Sequence, residues 1–190
     1  MKGLKKLLVG GERMSKPSKF FNLWLFGLPC SGKTTLAEKL MDNFSRDRVI
    51  HLDGDEIRKT ISKDLDFSYE SREINIRRVI ELCNFLNYKK YSTVVSVITP
   101  LNKYREIICK ELQSEVHLIY IDATIEECRS RDVKGMYKLA NDSKIKDFTG
   151  IGSNFEIPKN YDLRVDTNRN NINESLQIIK DYLKTNQVPW

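Results

Sequence analysis

The sequence predicts an α/β fold in which five mainly parallel strands form a sheet with helices on both faces. Two observations indicate this class. Short runs of β-branched and aromatic residues alternate with longer stretches that suit helices, and a glycine-rich segment joins the first run to the first helix. The 190 residues include 40% hydrophobic ones, enough for one core but few for two domains. We expect a single domain over residues 19–190.

The strands are predicted from their apolar runs, at Phe20–Phe26, Arg48–Leu52, Thr93–Thr99, Val116–Ile121 and Tyr161–Val165. The first helix follows Gly32, because Leu36 and Leu40 fall on one face at helical spacing while Glu38 and Lys39 fall on the other. A final helix is predicted near Asn173–Lys184.

Two segments have no regular pattern. Residues 1–18 combine glycines, a proline and several basic residues, so we expect a flexible N-terminal extension there. Residues 132–159 mix lysines and glycines and show no obvious strand. An irregular stretch of that length in a compact domain is usually functional, and we interpret it as a mobile lid.

Charge and cysteine content restrict the partners. The net charge of +6 and the pI near 9.1 would suit a polyanion, but the basic residues are dispersed and show no RNP, KH or zinc-finger spacing, so we expect no nucleic acid polymer. The run 20–28 is too short to span a bilayer, so we expect no membrane association. No CxxC pair occurs, which predicts reduced thiols in a cytoplasmic protein, with Cys83, Cys109 and Cys128 as small buried hydrophobes.

The strongest motif is GxxxxGK[ST] directly after the first strand. It comprises Gly27, Leu28, Pro29, Cys30, Ser31, Gly32, Lys33 and Thr34, and Thr35 follows. Backbone N–H groups of such a loop cradle the phosphates of ATP, the lysine reaches the β- and γ-oxygens, and the hydroxyl of Thr34 binds Mg²⁺. The motif predicts a P-loop NTPase three-layer sandwich that uses ATP and Mg²⁺. A glycine-rich turn with a helix cap is the alternative.

Two further clusters allow two interpretations each. Asp53-Gly54-Asp55 follows the second strand. One carboxylate could orient a substrate hydroxyl while the other holds Mg²⁺ through water. Alternatively, the segment could be a turn and a helix cap. The segment 67–78 could begin a helix at Ser68, with Arg72 and Asn75 on one face. Its arginines could bind a substrate phosphate or form a solvated, salt-bridged surface.

Taken together, the motifs resemble the adenylylsulfate kinase (APS kinase) family of P-loop kinases. The segments GLPCSGKTT, LDGDEIRK, FSYESREINIRRV, SVITP, DVKGMYKLA and IKDFTGI occur in that family's order, and the resemblance extends from about Phe20 to Leu183. It implies transfer of the γ-phosphoryl group of ATP to the ribose 3′-hydroxyl of adenosine 5′-phosphosulfate, a reaction of sulfate assimilation.

The resemblance also implies residue roles. Lys33 and Asp55 would be catalytic, Asp53 would join Thr34 at the metal, and Arg131 and Thr167 would lie on the ATP side. The acceptor side would be formed by Asp55, Arg58, Phe67, Arg72, Asn75, Ile98, Thr99, Lys134, Phe148 and Thr149. In this assignment the acceptor base lies between the rings of Phe67 and Phe148. By spacing alone, Arg131 would be a surface arginine at a helix end.

Three acceptor-side positions depart from the family pattern: Asp66 replaces a glycine, Thr99 a serine and Asn102 an arginine. Phosphoryl transfer is therefore predicted more firmly than the acceptor. One alternative is a homologous kinase that acts on another nucleotide, such as cytidine diphosphoramidate, in capsule modification. A nucleotide-dependent switch module is an alternative of another class. Thr99 could carry a phosphoryl intermediate, although we favour direct transfer. The assembly is left open, with a homodimer as one option.

Overall fold

The computed structural model describes residues 20–44, 48–133, 135–141 and 148–188. The predicted extension at 1–18 lies outside the described residues, as does Lys134. None of the helices in the described ranges has the length and hydrophobicity that a membrane span needs.

Five parallel strands form one sheet in the order β2-β3-β1-β4-β5. They are β1 (Phe21–Phe26), β2 (Val49–Asp53), β3 (Ser92–Ser96), β4 (Glu115–Asp122) and β5 (Leu163–Asp166). The predicted fold class is confirmed, and each predicted strand occurs. The strand predicted to reach Thr99 ends at Ser96, because the chain then leaves the sheet and Thr99 adopts a positive φ of 48°.

Seven helices occur in the described part of the chain. They are α1 (Lys33–Met41), α2 (Gly54–Lys59), α3 (Tyr69–Tyr88), α4 (Asn102–Glu111), α5 (Ile125–Arg131), α6 (Met136–Asn141) and α7 (Ile172–Thr185). Side-chain caps explain where several helices begin. The hydroxyl of Ser68 accepts from the N–H of Ser71 at the start of α3, and Asn171 forms a capping box with Glu174 at the start of α7. The final helix is therefore confirmed, while α6 shows that the predicted lid contains a helical turn.

The core has two main layers, one on each face of the sheet. Alternate residues of β1 supply both, because side chains of a strand point to opposite faces. Phe21, Leu23 and Leu25 pack with α1 and α7, whereas Trp24 and Phe26 pack with α3 and α4. Because both faces of the sheet are buried, polar side chains can come together at the ends of the strands.

The four cysteines all lie among the described residues, and no two of them form a disulfide. Cys83 and Cys128 are buried as predicted, but the prediction for Cys109 is wrong. Cys109 lies on the outer side of α4, whose buried residues are Tyr104, Arg105 and Ile108, so helical periodicity places it in solvent.

Candidate active site

The phosphate loop connects β1 to α1 through a backbone that two glycines make possible. Gly27 has φ 154°, and a Cβ atom there would lie 2.2 Å from the carbonyl oxygen of Ile121 in β4. Gly32, at the start of α1, has φ 102° and accepts the N–H of Leu36. The loop therefore depends on the absence of a side chain at position 27 and on the freedom of φ at position 32.

Lys33 is buried and its ammonium lies inside the curl of the loop. Nζ donates to the carbonyl oxygen of Leu28 at 2.5 Å and to Ser31 Oγ at 3.4 Å. Burial lowers the pKa of Lys33 to about 8, although nearby acidic groups, Asp53 and Asp55 among them, oppose that shift. A phosphate in this position would be a stronger partner for the ammonium than these neutral oxygens.

Asp53 joins the acidic motif to the phosphate loop. Its Oδ2 accepts hydrogen bonds from the hydroxyls of Thr34 at 2.8 Å and Ser96 at 2.9 Å. Its Oδ1 accepts from the N–H groups of Asp55 at 2.9 Å and Glu56 at 3.3 Å. Burial alone would raise the pKa of Asp53, but these hydrogen bonds outweigh it, so the pKa is lowered and the carboxylate stays ionised.

The helix-cap interpretation of this motif is thus correct, since Asp53 caps α2. It does not displace the metal interpretation. The hydroxyl hydrogen of Thr34 is committed to Asp53, which leaves the oxygen lone pairs of Thr34 available to a cation. Mg²⁺ prefers few protein ligands, all oxygen, with water and phosphate completing its shell. Among the described residues no cluster of three or more histidine, cysteine, aspartate or glutamate side chains that could hold a metal ion occurs.

Asp55, Arg58 and Phe67 are grouped beside the acidic motif. Asp55 is exposed on the first turn of α2. The guanidinium of Arg58 stacks 4.6 Å from the ring centroid of Phe67 and donates to the carbonyl oxygen of Asp66. The pKa of Arg58 is lowered by burial and by the nearby charge of Arg72. Two guanidinium groups in this proximity favour an anion between them.

The arginines of α3 divide between the two predicted roles. Arg77 and Arg78 form surface ion pairs with Glu73, Glu111 and Asp64, as the solvated-surface interpretation requires. Arg72 is different. It is only 6% exposed, its Nε donates to the carbonyl oxygen of Phe67 at 2.7 Å, and its Nη1 donates to Thr149 Oγ1 at 2.5 Å. It therefore connects the segment before α3 to the C-terminal part of the predicted lid.

Asn75 lies one turn after Arg72 on the same face of α3, as predicted, and is 3% exposed. Its Oδ1 is buried and has no hydrogen-bond partner among the described residues. A buried acceptor without a partner costs on the order of 1–3 kcal/mol. A ligand donor at this position would recover that cost.

The predicted lid contacts the phosphate loop. Phe148 is 7% exposed and meets Tyr137 of α6 edge to face at 5.0 Å, in a buried cluster that includes Leu28. The hydroxyl of Tyr137 donates to the carbonyl oxygen of Pro29 at 3.3 Å. Phe148 thus packs against the phosphate-loop side, next to Thr149, which Arg72 holds.

Arg131 and Thr167, predicted on the ATP side, come together at the phosphate loop. Nη1 of Arg131 donates to Thr167 Oγ1 at 3.2 Å, and the hydroxyl of Thr167 donates to the carbonyl oxygen of Ser31 at 3.0 Å. Arg131 also pairs with Glu127 one turn earlier in α5. The two residues are therefore fixed against the loop.

The three positions that depart from the family pattern all form hydrogen bonds. The carboxylate of Asp66 accepts from the N–H and hydroxyl of Ser68, just before α3. Thr99 is 1% exposed, and its hydroxyl accepts from the indole N–H of Trp24 at 2.9 Å. The side-chain amide of Asn102 donates to the carbonyl oxygen of Ile157 and accepts from the N–H of Lys159, so Asn102 holds the C-terminal end of the predicted lid. Ile98, before Thr99, is half-buried and accepts from the N–H of Gly27.

Sequence reasoning missed three polar residues around the site. His51 Nε2 lies 3.0 Å from Ser96 Oγ, and burial lowers the pKa of His51. Arg105 is 2% exposed, and its guanidinium lies between the rings of Phe26 and Phe155 at 4.9 and 5.2 Å. His51 and Ser96 could have been noticed from the sequence, because each is a polar residue within a mainly apolar strand. Arg105 had no such signal, since an arginine in an amphipathic helix is ordinarily exposed.

Comparisons with known proteins agree with this geometry. The sequence model of one protein family, described as adenylylsulphate kinase, matches residues 19–166. The adenylyl-sulfate kinase of Oceanobacillus iheyensis is 39% identical over 168 residues, covering 87% of this chain and 84% of that protein. The corresponding protein of Clostridium kluyveri is 37% identical over 163 residues, covering 85% and 82%.

Solved structures show the same similarity. The structure of the Mycobacterium tuberculosis APS kinase in complex with AMPPNP and APS superposes with a TM-score of 0.82 at 31% identity, covering 88% of this chain and 99% of that one. The residues that the family model matches include both the phosphate loop and the acidic motif.

Proposed function

The chain belongs to the adenylylsulphate kinase family, and from this premise we propose that it transfers the γ-phosphoryl group of ATP to the ribose 3′-hydroxyl of adenosine 5′-phosphosulfate. The products are ADP and 3′-phosphoadenosine 5′-phosphosulfate. The new bond joins the 3′-oxygen to the γ-phosphorus, and the bond from the γ-phosphorus to the β–γ bridging oxygen breaks. The bridging oxygen leaves as part of ADP, and the hydroxyl proton is released to solvent.

The observation that carries the proposal is the 2.8 Å hydrogen bond between Thr34 and Asp53. It joins the phosphate loop after β1 to the acidic motif after β2, although β3 lies between these strands in the sheet. A phosphate donor held by the loop would therefore have the carboxylates of Asp53 and Asp55 beside its terminal phosphate. Phosphoryl transfer needs this combination of phosphate cradle, cation ligands and acceptor-orienting carboxylate.

On the donor side, Lys33 and Thr34 have separate tasks. The buried ammonium of Lys33 would exchange the carbonyl of Leu28 for phosphate oxygens and stabilise the charge that spreads over the transferring group. Thr34 and, through water, Asp53 would hold Mg²⁺. When bound, Mg²⁺ neutralises charge on the β- and γ-phosphates. Arg131 and Thr167 support the loop from the ATP side.

On the acceptor side, Asp55 would orient the 3′-hydroxyl and accept its hydrogen bond. Arg58 and Arg72 would face the anionic 5′-group, and the unpartnered Oδ1 of Asn75 would accept from a ligand hydroxyl or amine. We propose that the acceptor base lies between Phe67 and Phe148, with Ile98, Thr99 and Thr149 along the pocket. Lys134, outside the described residues, stays a proposed acceptor contact that the family resemblance implies. Phe67, at 41% exposed, has surface to offer such a base.

Transfer is proposed to be direct. The hydroxyl of Thr99 is buried and bound to Trp24, with the carbonyl oxygen of Val97 at 3.3 Å, so a phosphoryl intermediate there would have to break this arrangement. Segment 132–159 would close as a lid over both substrates and exclude water, since Tyr137 and Phe148 already pack on the loop.

The test is an acceptor panel. The purified chain is given MgATP and, in parallel, adenosine 5′-phosphosulfate, cytidine diphosphoramidate, cytidine diphosphate and simple nucleoside monophosphates. ADP formation gives kcat/KM for each acceptor, and mass spectrometry with ³¹P NMR identifies the phosphorylated position. We expect adenosine 5′-phosphosulfate to give the highest kcat/KM and a 3′-phosphorylated product.

The other outcomes identify the alternatives. A preference for cytidine diphosphoramidate would retain the phosphoryl transfer but replace the acceptor, and the positions to examine first would be Asp66, Thr99 and Asn102. ADP formation that is slow and independent of every acceptor would indicate a nucleotide-dependent switch module and contradict the kinase proposal.

Location and assembly complete the proposal. We propose a cytoplasmic location, which agrees with four described cysteines that form no disulfide with one another. A homodimer stays a prediction, and sedimentation equilibrium of the purified chain would test it.

A further inference from the structure

A chain of hydrogen bonds leads from β2 to the phosphate loop through two residues that the proposed mechanism does not use. His51 Nε2 lies 3.0 Å from Ser96 Oγ, and Ser96 Oγ lies 2.9 Å from Asp53 Oδ2. The same Oδ2 accepts from Thr34 at 2.8 Å. His51 and Asp53 are two residues apart in β2, and Ser96 is the register partner of Asp53 in β3, so all three point to one face of the sheet.

The direction of these hydrogen bonds follows from counting donors and acceptors. An ionised carboxylate only accepts, so Ser96 and Thr34 each donate their single hydroxyl hydrogen to Asp53. Ser96 Oγ then has only lone pairs left for the imidazole. Nε2 of His51 must therefore carry the hydrogen and donate it to Ser96.

We propose that His51 is a positioning residue for the magnesium site, acting through Ser96 on Asp53 and Thr34. The N–H of His51 holds the Ser96 hydroxyl in the one orientation that donates to Asp53. Asp53 in turn holds the hydroxyl hydrogen of Thr34 away from the cation, so that the lone pairs of Thr34 face it. This inference rests on the proposed function, because it concerns the same nucleotide and metal site.

The physical reason is rotational freedom. A serine hydroxyl has several rotamers and can donate to other acceptors when nothing selects among them. Loss of the His51 donor would let Ser96 turn away from Asp53 part of the time, and the carboxylate would then be less firmly oriented. A cation held by few protein ligands is sensitive to that orientation.

A substitution at position 51 does not have to disturb a tightly packed core. His51 borders a cavity of about 410 Å³ that Asp53, Glu56, Lys59, Thr60 and Leu82 also line. His51→Phe removes the donor, and His51→Gln keeps an N–H near the position of Nε2. Thr60→Val is the matched control, since Thr60 lines the same cavity but bonds to the carbonyl oxygen of Glu56 instead of joining the chain.

The experiment measures the affinity for ADP by calorimetry, once with excess Mg²⁺ and once with EDTA. The dissociation constant in EDTA divided by the dissociation constant in Mg²⁺ reports how strongly the protein couples binding of the cation to binding of the nucleotide. The measurement requires no turnover. In His51→Phe we expect this ratio to fall about three- to tenfold, the loss of one neutral hydrogen bond. In Ser96→Ala it should fall about tenfold or more, because the bond to a carboxylate is lost. In His51→Gln and Thr60→Val it should stay within about twofold of the unaltered chain.

The proposal would be overturned if folded His51→Phe kept the unaltered ratio, or if His51→Gln lost as much as His51→Phe. An equal loss of ADP affinity in EDTA and in Mg²⁺ would also overturn it, because that result indicates a general structural role. An unaltered chain that binds no ADP would instead contradict the proposed function. Circular dichroism establishes that each variant is folded.

Discussion

Replacement of Arg72 by alanine tests the acceptor side most directly. In the structure its guanidinium is buried and makes two hydrogen bonds, to the carbonyl oxygen of Phe67 and to the hydroxyl of Thr149. Under the proposed function it also faces the anionic 5′-group of the acceptor together with Arg58. Arg72→Ala therefore removes a substrate contact and separates the two segments that form the acceptor site.

The expected magnitude follows from these contacts. A hydrogen bond that involves a charged group contributes about 1.5–3 kcal/mol. Loss of one such bond to the acceptor lowers kcat/KM for the acceptor roughly ten- to more than a hundredfold. Loss of the internal bonds should lower the free energy of unfolding by about 2 kcal/mol or more. The KM for ATP should change little, because these hydrogen bonds of Arg72 go to Phe67 and Thr149, on the acceptor side.

The assay compares kcat/KM for the best acceptor, KM for ATP and the urea midpoint of Arg72→Ala with those of Arg78→Ala. Arg78 is the matched control, since it lies on the same helix but pairs with Asp64 at the surface. Such a pair contributes at most about 1 kcal/mol, so Arg78→Ala should leave both kinetic constants unchanged. A change below about twofold in acceptor kcat/KM for folded Arg72→Ala would refute the acceptor role of this arginine.

Four further predictions concern the donor side and the loop. Lys33→Ala should reduce kcat about a hundredfold or more without loss of thermal stability, because the buried ammonium binds phosphate and does not stabilise the core. Near-normal turnover would exclude this role. Binding of ADP at pH 8 should take up about half a proton, because a Lys33 with a pKa of about 8 is half protonated in the free protein and phosphate would raise that pKa. Calorimetry in two buffers of different ionisation enthalpy detects that uptake, and equal heats would contradict it. Asp55→Asn should lower kcat at least about tenfold while the dissociation constant for ATP stays within about twofold; the opposite pattern would exchange the roles of the two aspartates. Gly27→Ala should lower the free energy of unfolding by about 2 kcal/mol or more, since its Cβ would lie 2.2 Å from the carbonyl oxygen of Ile121; an unchanged urea midpoint would show that β4 moves aside at little cost.

Local patterns predicted the architecture well. The strand β1 shows why: Leu23, Trp24 and Leu25 are all fully buried, so an uninterrupted apolar run is the expected pattern for a central parallel strand. The loop that follows is equally local, because glycine and lysine at fixed spacing specify a backbone shape and a charge within a few residues. The cap of α3 at Ser68 is a third example.

The acceptor side was less predictable from sequence. Arg72, Arg77 and Arg78 occur within seven residues of one another, yet one is buried against Thr149 while the other two pair at the surface. Helical periodicity could place Arg72 and Asn75 on one face. It could not show that this face meets a segment more than seventy residues later.

What the sequence determined by itself was therefore the set of elements, the phosphate loop and the family. These are encoded by residues that are neighbours in the chain, where periodicity and steric limits act directly. The tertiary structure was needed to show that Ser96 meets His51 and that Arg72 meets Thr149. It also gives the hydrogen bond between Thr34 and Asp53, which the family resemblance had already placed together at the metal. These contacts depend on strand order, register and helix packing, which arise from burial summed over the whole core, so the local sequence at each residue does not identify its partner.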